Sequence, residues 1–338
     1  MTSTSPSDSA AGPTNPELRE SRHWLRIAGL AVVLAACAHQ VARPEPGSRG
    51  LGPLREISKD RRSGHEIAVA GRFFDIGTPV VLWADEGGYD AYDESPGTGG
   101  MGSEPPSGKR YGVRRGLRSR TVDDLRTRVR QFVLHYDVAV VSRRCFDVLH
   151  ERRGLSVHFM LDADGTIYQT LDIAERAWHA SSANDDSVGV EIAHIGAYPS
   201  PGHPEVQKVY SRDHLGWYLD LPEWIGASGF RNPGFVARPR TDGFHAADIH
   251  GRRVHQLDYT PEQYEALAHL VAGLHRVLDL PIDYPRGSDG GLLRSQLSAT
   301  ELDSFEGVLG HWHVQSNKVD PGPAMDWDHL RSRSIELR

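Results

Sequence analysis

The 338-residue sequence has only two cysteines, Cys37 and Cys145, so a disulfide scaffold cannot be what stabilises it. Basic residues are not in excess either. Lys and Arg number 38 against 45 Asp and Glu, for a formal net charge of -7. A domain-wide cationic surface able to neutralise phosphates is therefore missing, which argues against nucleic acid as a partner. The apolar run 27–36 is too short to cross a bilayer, which takes roughly 20 residues. No repeat with a period of 20–50 residues is present, which excludes a solenoid. The His-Glu-x-x-His run of the commonest zinc peptidases is also absent.

The short apolar run still has meaning in its setting. Arg19, Arg22 and Arg26 precede it, and it ends Leu34-Ala35-Ala36-Cys37. A basic flank, a short apolar core and small residues describe an export signal. The ending resembles the bacterial lipobox, after which Cys37 becomes a lipidated N-terminus. The expectation is a signal segment at 1–37, a lipid anchor on Cys37 and a cell-envelope location. Ala38 is not the Asp that often retains lipoproteins at an inner membrane, so an outer membrane facing the periplasm is expected where the host has one. Cys145 is then left without a partner and reads as a small buried hydrophobe. Residues 38–62, rich in Pro, Gly and Arg, read as a tether, and 63–338 as the folded catalytic part.

Within that part, short apolar runs at 67–69 and 79–83 predict strands. Residues 87–108 are a loop rich in Gly, Pro and Ser. A helix is predicted at 122–130, a strand at 131–136 and a helix at 142–152. Strands at 156–161 and 166–170 flank the turn Asp162-Ala163-Asp164-Gly165. In the strand 187–193, Val188, Val190 and Ile192 share one face, and Glu191 points to the other beside Gly189. Residues 196–258 show little periodicity and read as a long insertion beside the site, offering substrate walls. Thr260-Pro261-Glu262-Gln263 is a capping box that opens a helix. A strand at 307–310 delivers His311, and 327–333 predicts a closing helix. Strands interleaved with helices imply an α/β domain with a mixed central β-sheet flanked by helices.

Three residues stand out for chemistry. His135 lies near the end of a strand, His311 follows another, and Asp320 sits in Val319-Asp320-Pro321-Gly322, a turn that can hold a ligand rigidly. Two imidazoles and a carboxylate suit Zn2+ with an open position for water, and the same set suits ferrous iron. Hydrolytic chemistry in an exported protein favours zinc. Glu191 is then a candidate base and Lys318 a candidate oxyanion partner. His313 is a rival to His311, because two residues apart on a strand they would share a face.

Several motifs occur together and in order: Phe132-Val133-Leu134-His135, Arg153-Gly154-Leu155-Ser156-Val157-His158-Phe159, Asp164-Gly165-Thr166-Ile167-Tyr168-Gln169, Ala177-Trp178-His179-Ala180, Asn184, and Ser187-Val188-Gly189-Val190-Glu191. They resemble the zinc-dependent N-acetylmuramoyl-L-alanine amidases, which share a fold with phage amidases and peptidoglycan recognition proteins. The likeness runs over about 131–195 and 260–327. It implies His135, His311 and Asp320 as metal ligands, Glu191 as acid/base and Lys318 as transition-state partner. It also implies that Trp178, His179 and Asn184 line a groove for peptidoglycan or muropeptide, with His158 structural or groove-lining. The stretch Ser316-Asn317-Lys318 is shorter than the family's usual loop, which leaves the register of the second histidine open. Gly310 before His311 favours His311. The alternative is a non-catalytic peptidoglycan-binding lipoprotein on the same fold, which the complete set of polar residues disfavours.

Overall fold

The structure, a computed structural model, describes residues 55–92 and 100–338. The signal segment 1–37 with Cys37, and residues 38–54 of the expected tether, lie outside the described residues. The last part of that tether is not a linker. β1 (Glu56–Ile57), β2 (Glu66–Val69) and β3 (Arg72–Asp75) form an antiparallel sheet with β3 in the middle. Arg62 grips the Asp85 carboxylate with both terminal nitrogens, at 2.9 and 2.6 Å. Pairing of a two-residue strand leaves no mark in composition, so the fold begins earlier than the sequence pattern suggests.

The main sheet is built from β4 (Val80–Leu82), β6 (Gln131–Tyr136), β7 (Phe159–Leu161), β8 (Ile167–Gln169), β10 (Ser187–Ile192) and β15 (Gly307–Gly310), in the order β15-β6-β10-β7-β8-β4. β15, β6, β10 and β7 run parallel, β7 and β8 antiparallel, and β8 and β4 parallel. The sheet is mixed, as expected. β5 (Tyr111–Val113) and β9 (Glu175–Ala177) make a small antiparallel pair beside it.

The alternation read along 187–193 decides which face is which. Val188, Val190 and Ile192 join Phe132, Leu134, Phe159 and Leu161 in the main core. α1 (Val122–Arg128) and α4 (Pro261–Leu278) contribute to that core, α4 through Leu267, Leu270, Val271, Leu274 and Leu278. α4 starts at the predicted capping box. The Thr260 side chain accepts from Gln263 N, and the Gln263 side chain accepts from Thr260 N. α7 (Trp327–Leu337) adds Trp327 and Leu330 to the same core.

The opposite face is covered differently. Val133 packs with Leu309 and Val314, and Met160 packs with Cys145 and Val157. Here lies α2 (Ser142–Phe146), which runs on as a π-helical stretch, Asp147–Arg152. α5 (Ala299–Ser304) and α6 (His311–Val314) flank β15. Glu191 and His135 fall on this second face, at paired positions of adjacent parallel strands. Among the described residues no helix is long and apolar enough to cross a membrane.

Residues 196–258 are only in part irregular, with no helix or strand over 220–243. They hold α3 (Pro204–Gln207), the hairpin of β11 (Tyr210–Asp213) with β12 (Gly216–Leu219), and the hairpin of β13 (Phe244–Ile249) with β14 (Arg252–Leu257). Val206, Val209, Tyr210, Ile225 and Leu257 form a core of their own with Val140, Val141 and Ile195.

Candidate metal centre and cleft

Three groups from three chain segments meet at the end of the parallel strands. His135 is the next-to-last residue of β6, His311 begins the helical turn after β15, and Asp320 sits in the following loop. His135 Nδ1 lies 2.9 Å from His311 Nδ1 and 3.1 Å from Asp320 Oδ2. His311 Nδ1 lies 2.9 Å from the same Asp320 oxygen. All three residues are buried.

The other ring nitrogens explain why this arrangement calls for a cation. His311 Nε2–H donates to Gln315 Oε1 at 2.8 Å. His135 Nε2 lies 3.0 Å from His179 Nδ1. With protons on the outer nitrogens, both Nδ1 atoms present bare lone pairs, and they face each other and a carboxylate. Three acceptors packed this closely repel unless a positive charge sits among them. Donors held about 2.0 Å from a tetrahedral ion lie about 3.3 Å apart, close to the spacing found here. The donor set and its geometry therefore fit a zinc ion.

His313 is not a ligand. The structure turns His311-Trp312-His313-Val314 into a helical turn rather than an extended strand, so residues two apart point to different sides. His313 Nδ1 accepts from Gly310 N at 2.8 Å, and its Nε2–H donates to the Leu293 carbonyl at 2.7 Å. Both of its nitrogens are occupied. Gln315, four residues after His311, was missed in the sequence. The i, i+4 spacing marks it only once the segment is known to be helical.

The centre opens into a cleft of about 330 Å³, lined among others by Glu191, Lys318, Trp178, His179, Asp137 and Arg153. Burial raises the Glu191 carboxyl well above its ordinary pKa, and the negative charges of Asp320 and Asp137 add to this. Lys318 and Arg153 pull the other way. Burial also acts to raise Asp320, but the imidazoles of His311 and His135 outweigh it and hold that carboxyl below its usual range. Burial, then His311, lowers His135 to about 4. An ionised Asp320 is thus set between the two imidazoles. Burial pushes Asp137 up to about 7, although its Oδ1 accepts from Ala139, Val140 and His194 amides.

The groove residues divide. Trp178 stands at the cleft rim, 36% exposed, with the Arg176 guanidinium 3.7 Å from its ring centre. Asn184 does not line the cleft. It is buried, and its Oδ1 accepts from the His179 and Ala180 amides at 3.1 and 2.7 Å. A short polar side chain next to a loop more often clamps that loop than faces a ligand. His158 is fully buried; its Nδ1 accepts from Gly189 N, and its Nε2 lies 2.9 Å from Arg114.

The insertion does not wall the cleft, as the sequence led us to expect; none of its residues lines it. It holds the ligand loop from behind. Gln256 Nε2 donates to the Pro321 carbonyl at 3.1 Å and its Oε1 accepts from Ala324 N at 3.0 Å; just past the insertion, Tyr259 Oη donates to the same carbonyl at 2.6 Å. Gly322, at φ +87, leaves room for the Gln256 side chain. A Cβ there would sit 2.1 Å from Gln256 Oε1.

Comparison with known families gives one match. Residues 125–323, more than half of the chain, match the N-acetylmuramoyl-L-alanine amidase family Amidase_2. The chain belongs to this amidase family. Among solved structures, it is similar to the amidase AmiD from E. coli in complex with the substrate anhydro-N-acetylmuramic acid-L-Ala-D-gamma-Glu-L-Lys (17% identity, 61% of this chain, 57% of that one, TM-score 0.36). It is also similar to a selenomethionine derivative of AmpD (16% identity, 68% of this chain, 95% of that one, TM-score 0.31). A third is the endolysin amidase LysCS from Clostridium intestinale (14% identity, 63% and 88% covered, TM-score 0.32). No curated protein matches the chain. The family match spans His135, Glu191, His311, Lys318 and Asp320, so all five candidate residues lie inside the amidase region.

Proposed function

We propose that this amidase-family chain is a zinc hydrolase that cleaves the amide between the lactyl group of N-acetylmuramic acid and the L-alanine of a stem peptide, in peptidoglycan or in released muropeptides. The observation that carries the reading is the convergence of two bare imidazole nitrogens and one carboxylate oxygen beside Glu191 and Lys318. Bound at His135, His311 and Asp320, zinc would lower the pKa of a water and polarise the scissile carbonyl.

The chain's own groups do the rest. Glu191 stands opposite His135 in the strand register, and its raised pKa makes it a stronger base. It takes a proton from the attacking water and delivers it to the departing amine nitrogen. The Lys318 ammonium lines the same cleft and offsets the negative charge that develops on the carbonyl oxygen. Trp178 offers an apolar ring at the rim, suited to a sugar or lactyl face. The non-catalytic reading gains no support, since ligands, base and cation are all present.

We further propose that Cys37 is lipidated and tethers the enzyme to the envelope. Exchange of Cys37 for Ser should move the protein from the detergent to the aqueous phase on partition, and unchanged partition would remove the anchor. The activity is tested by mass spectrometry of muropeptides incubated with the protein, with and without a chelator. Free stem peptides should appear only when metal is available. Glu191→Gln should keep zinc and lose most turnover, whereas Asp320→Ala should lose both. Full cleavage by Asp320→Ala contradicts the assignment.

A further inference from the structure

His179 was expected to contact substrate, yet neither of its ring nitrogens is left to do so. Nδ1 lies 3.0 Å from His135 Nε2, and Nε2 lies 3.2 Å from Ser187 Oγ. The two rings meet edge to face, at 83° with centroids 5.2 Å apart. The backbone around His179 is fixed as well, through the two amides that Asn184 holds.

The sheet makes room for this ring. Gly189 lies beneath it on β10, and a Cβ there would fall 2.4 Å from His179 Nδ1 and 2.5 Å from its Cε1. Any side chain at 189 would expel the imidazole. Glycine is unfavourable inside a strand, and one at this position often marks close approach by another group.

Proton placement then follows in one direction. His135 must keep Nδ1 bare to face Asp320 and a cation, so its proton sits on Nε2. That N–H donates to His179 Nδ1, which must accept. His179 therefore carries its own proton on Nε2 and donates it to Ser187 Oγ. Each link fixes the tautomer of the next.

We propose that His179 is a positioning residue: through the chain Ser187–His179–His135 it sets the tautomer and ring orientation of the first metal ligand. The proposal rests on the metal-centre reading above but not on the cleavage reaction. Partners of this kind typically contribute 10–100-fold to metal affinity.

The test is zinc affinity by competition with a chromophoric chelator, on the full chain. His179→Ala should bind zinc roughly 10–100-fold more weakly. His179→Asn places an amide oxygen where Nδ1 was and should recover most of the loss. Ser187→Ala frees the far proton and should fall between wild type and His179→Ala. A second readout does not use activity: imidazole 15N shifts of the zinc-loaded protein should report His179 protonated on Nε2 with Nδ1 accepting, and a His179 protonated on Nδ1 would break the chain and overturn the proposal.

If wild type binds zinc and both His179→Ala and Ser187→Ala bind it equally well, the proposal is overturned. Unchanged affinity with a raised KM for muropeptide would return His179 to substrate contact, which also overturns it. Should His179→Ala not fold, Ser187→Ala and His179→Asn decide the matter. Failure of the wild type itself to bind zinc would refute the metal centre instead, so the two failures are distinguishable.

Discussion

Replacing Gln256 by Ala tests whether the insertion supports the metal centre. Gln256 is fully buried on β14, and its amide serves two backbone groups of the loop that carries Asp320. After truncation, Ala324 N stays buried with no acceptor, which costs ~1–3 kcal/mol. The void left by the lost side chain adds ~1–2 kcal/mol. Pro321 O keeps its bond from Tyr259 Oη, so the loss stops near ~3 kcal/mol. That is a large part of a stability of ~5–15 kcal/mol. If the loop loosens, Asp320 must be re-ordered when metal binds, and each ~1.4 kcal/mol so spent weakens affinity tenfold.

Two measurements separate the effects. Urea unfolding of the metal-free protein should show the ~3 kcal/mol loss. Chelator competition should show zinc affinity at least ~10-fold weaker. Tyr259→Phe removes the other donor to Pro321 O, and the double variant should deviate from additivity by ~0.5–3 kcal/mol, because both side chains share one acceptor. The reasoning is refuted if Gln256→Ala destabilises the protein as expected yet binds zinc as tightly as wild type. The insertion would then stabilise the fold without holding the ligand loop.

Lys318→Met should leave zinc affinity intact and lower kcat by ~10²–10³, the usual loss of one oxyanion donor; a changed KM with unchanged kcat would assign it to ground-state binding. His194 gives a pH signature. It is buried, its Nδ1 accepts from Gly196 N at 2.8 Å, and burial lowers it from 6.5 to about 4. Because the folded pKa lies below the unfolded one, its contribution is complete above pH 6.5 and lost as pH falls toward 4, up to ~3 kcal/mol. His194→Asn keeps an acceptor without a titrating ring, so its stability curve should be flatter than wild type over that window; parallel curves would dismiss the effect.

How far the sequence could be read depended on whether a signal was local. α4 was legible because a capping box and an apolar stripe lie in consecutive residues. β10 was legible because Val188, Val190 and Ile192 alternate with Gly189 and Glu191. The three metal-ligand candidates were legible through their neighbours, the strand before His135, the glycine before His311 and the Pro-Gly turn after Asp320. The rest is set by tertiary contact. α6 looked extended because four residues are too few to show a helical period, so His311 and His313 seemed to share a face. The β11–β12 and β13–β14 hairpins lack clean alternation, since they are only partly buried. The roles of Asn184, His179 and Gln256 depend on which atoms they meet across the fold, and no spacing rule encodes that.

The pairing of Glu191 with His135 has one more consequence. It places the Glu191 backbone one strand spacing from that of His135, about 4.8 Å between neighbours in any sheet. That interval belongs to the peptide ladder, so no exchange of side chains around the cleft can stretch it. Much of the rim comes instead from α2, its π-helical extension and the Trp178 turn, and none of these supplies a ligand. Descendants of this chain are therefore free to reshape what the mouth admits while the spacing of Glu191 from His135 beneath stays as it is.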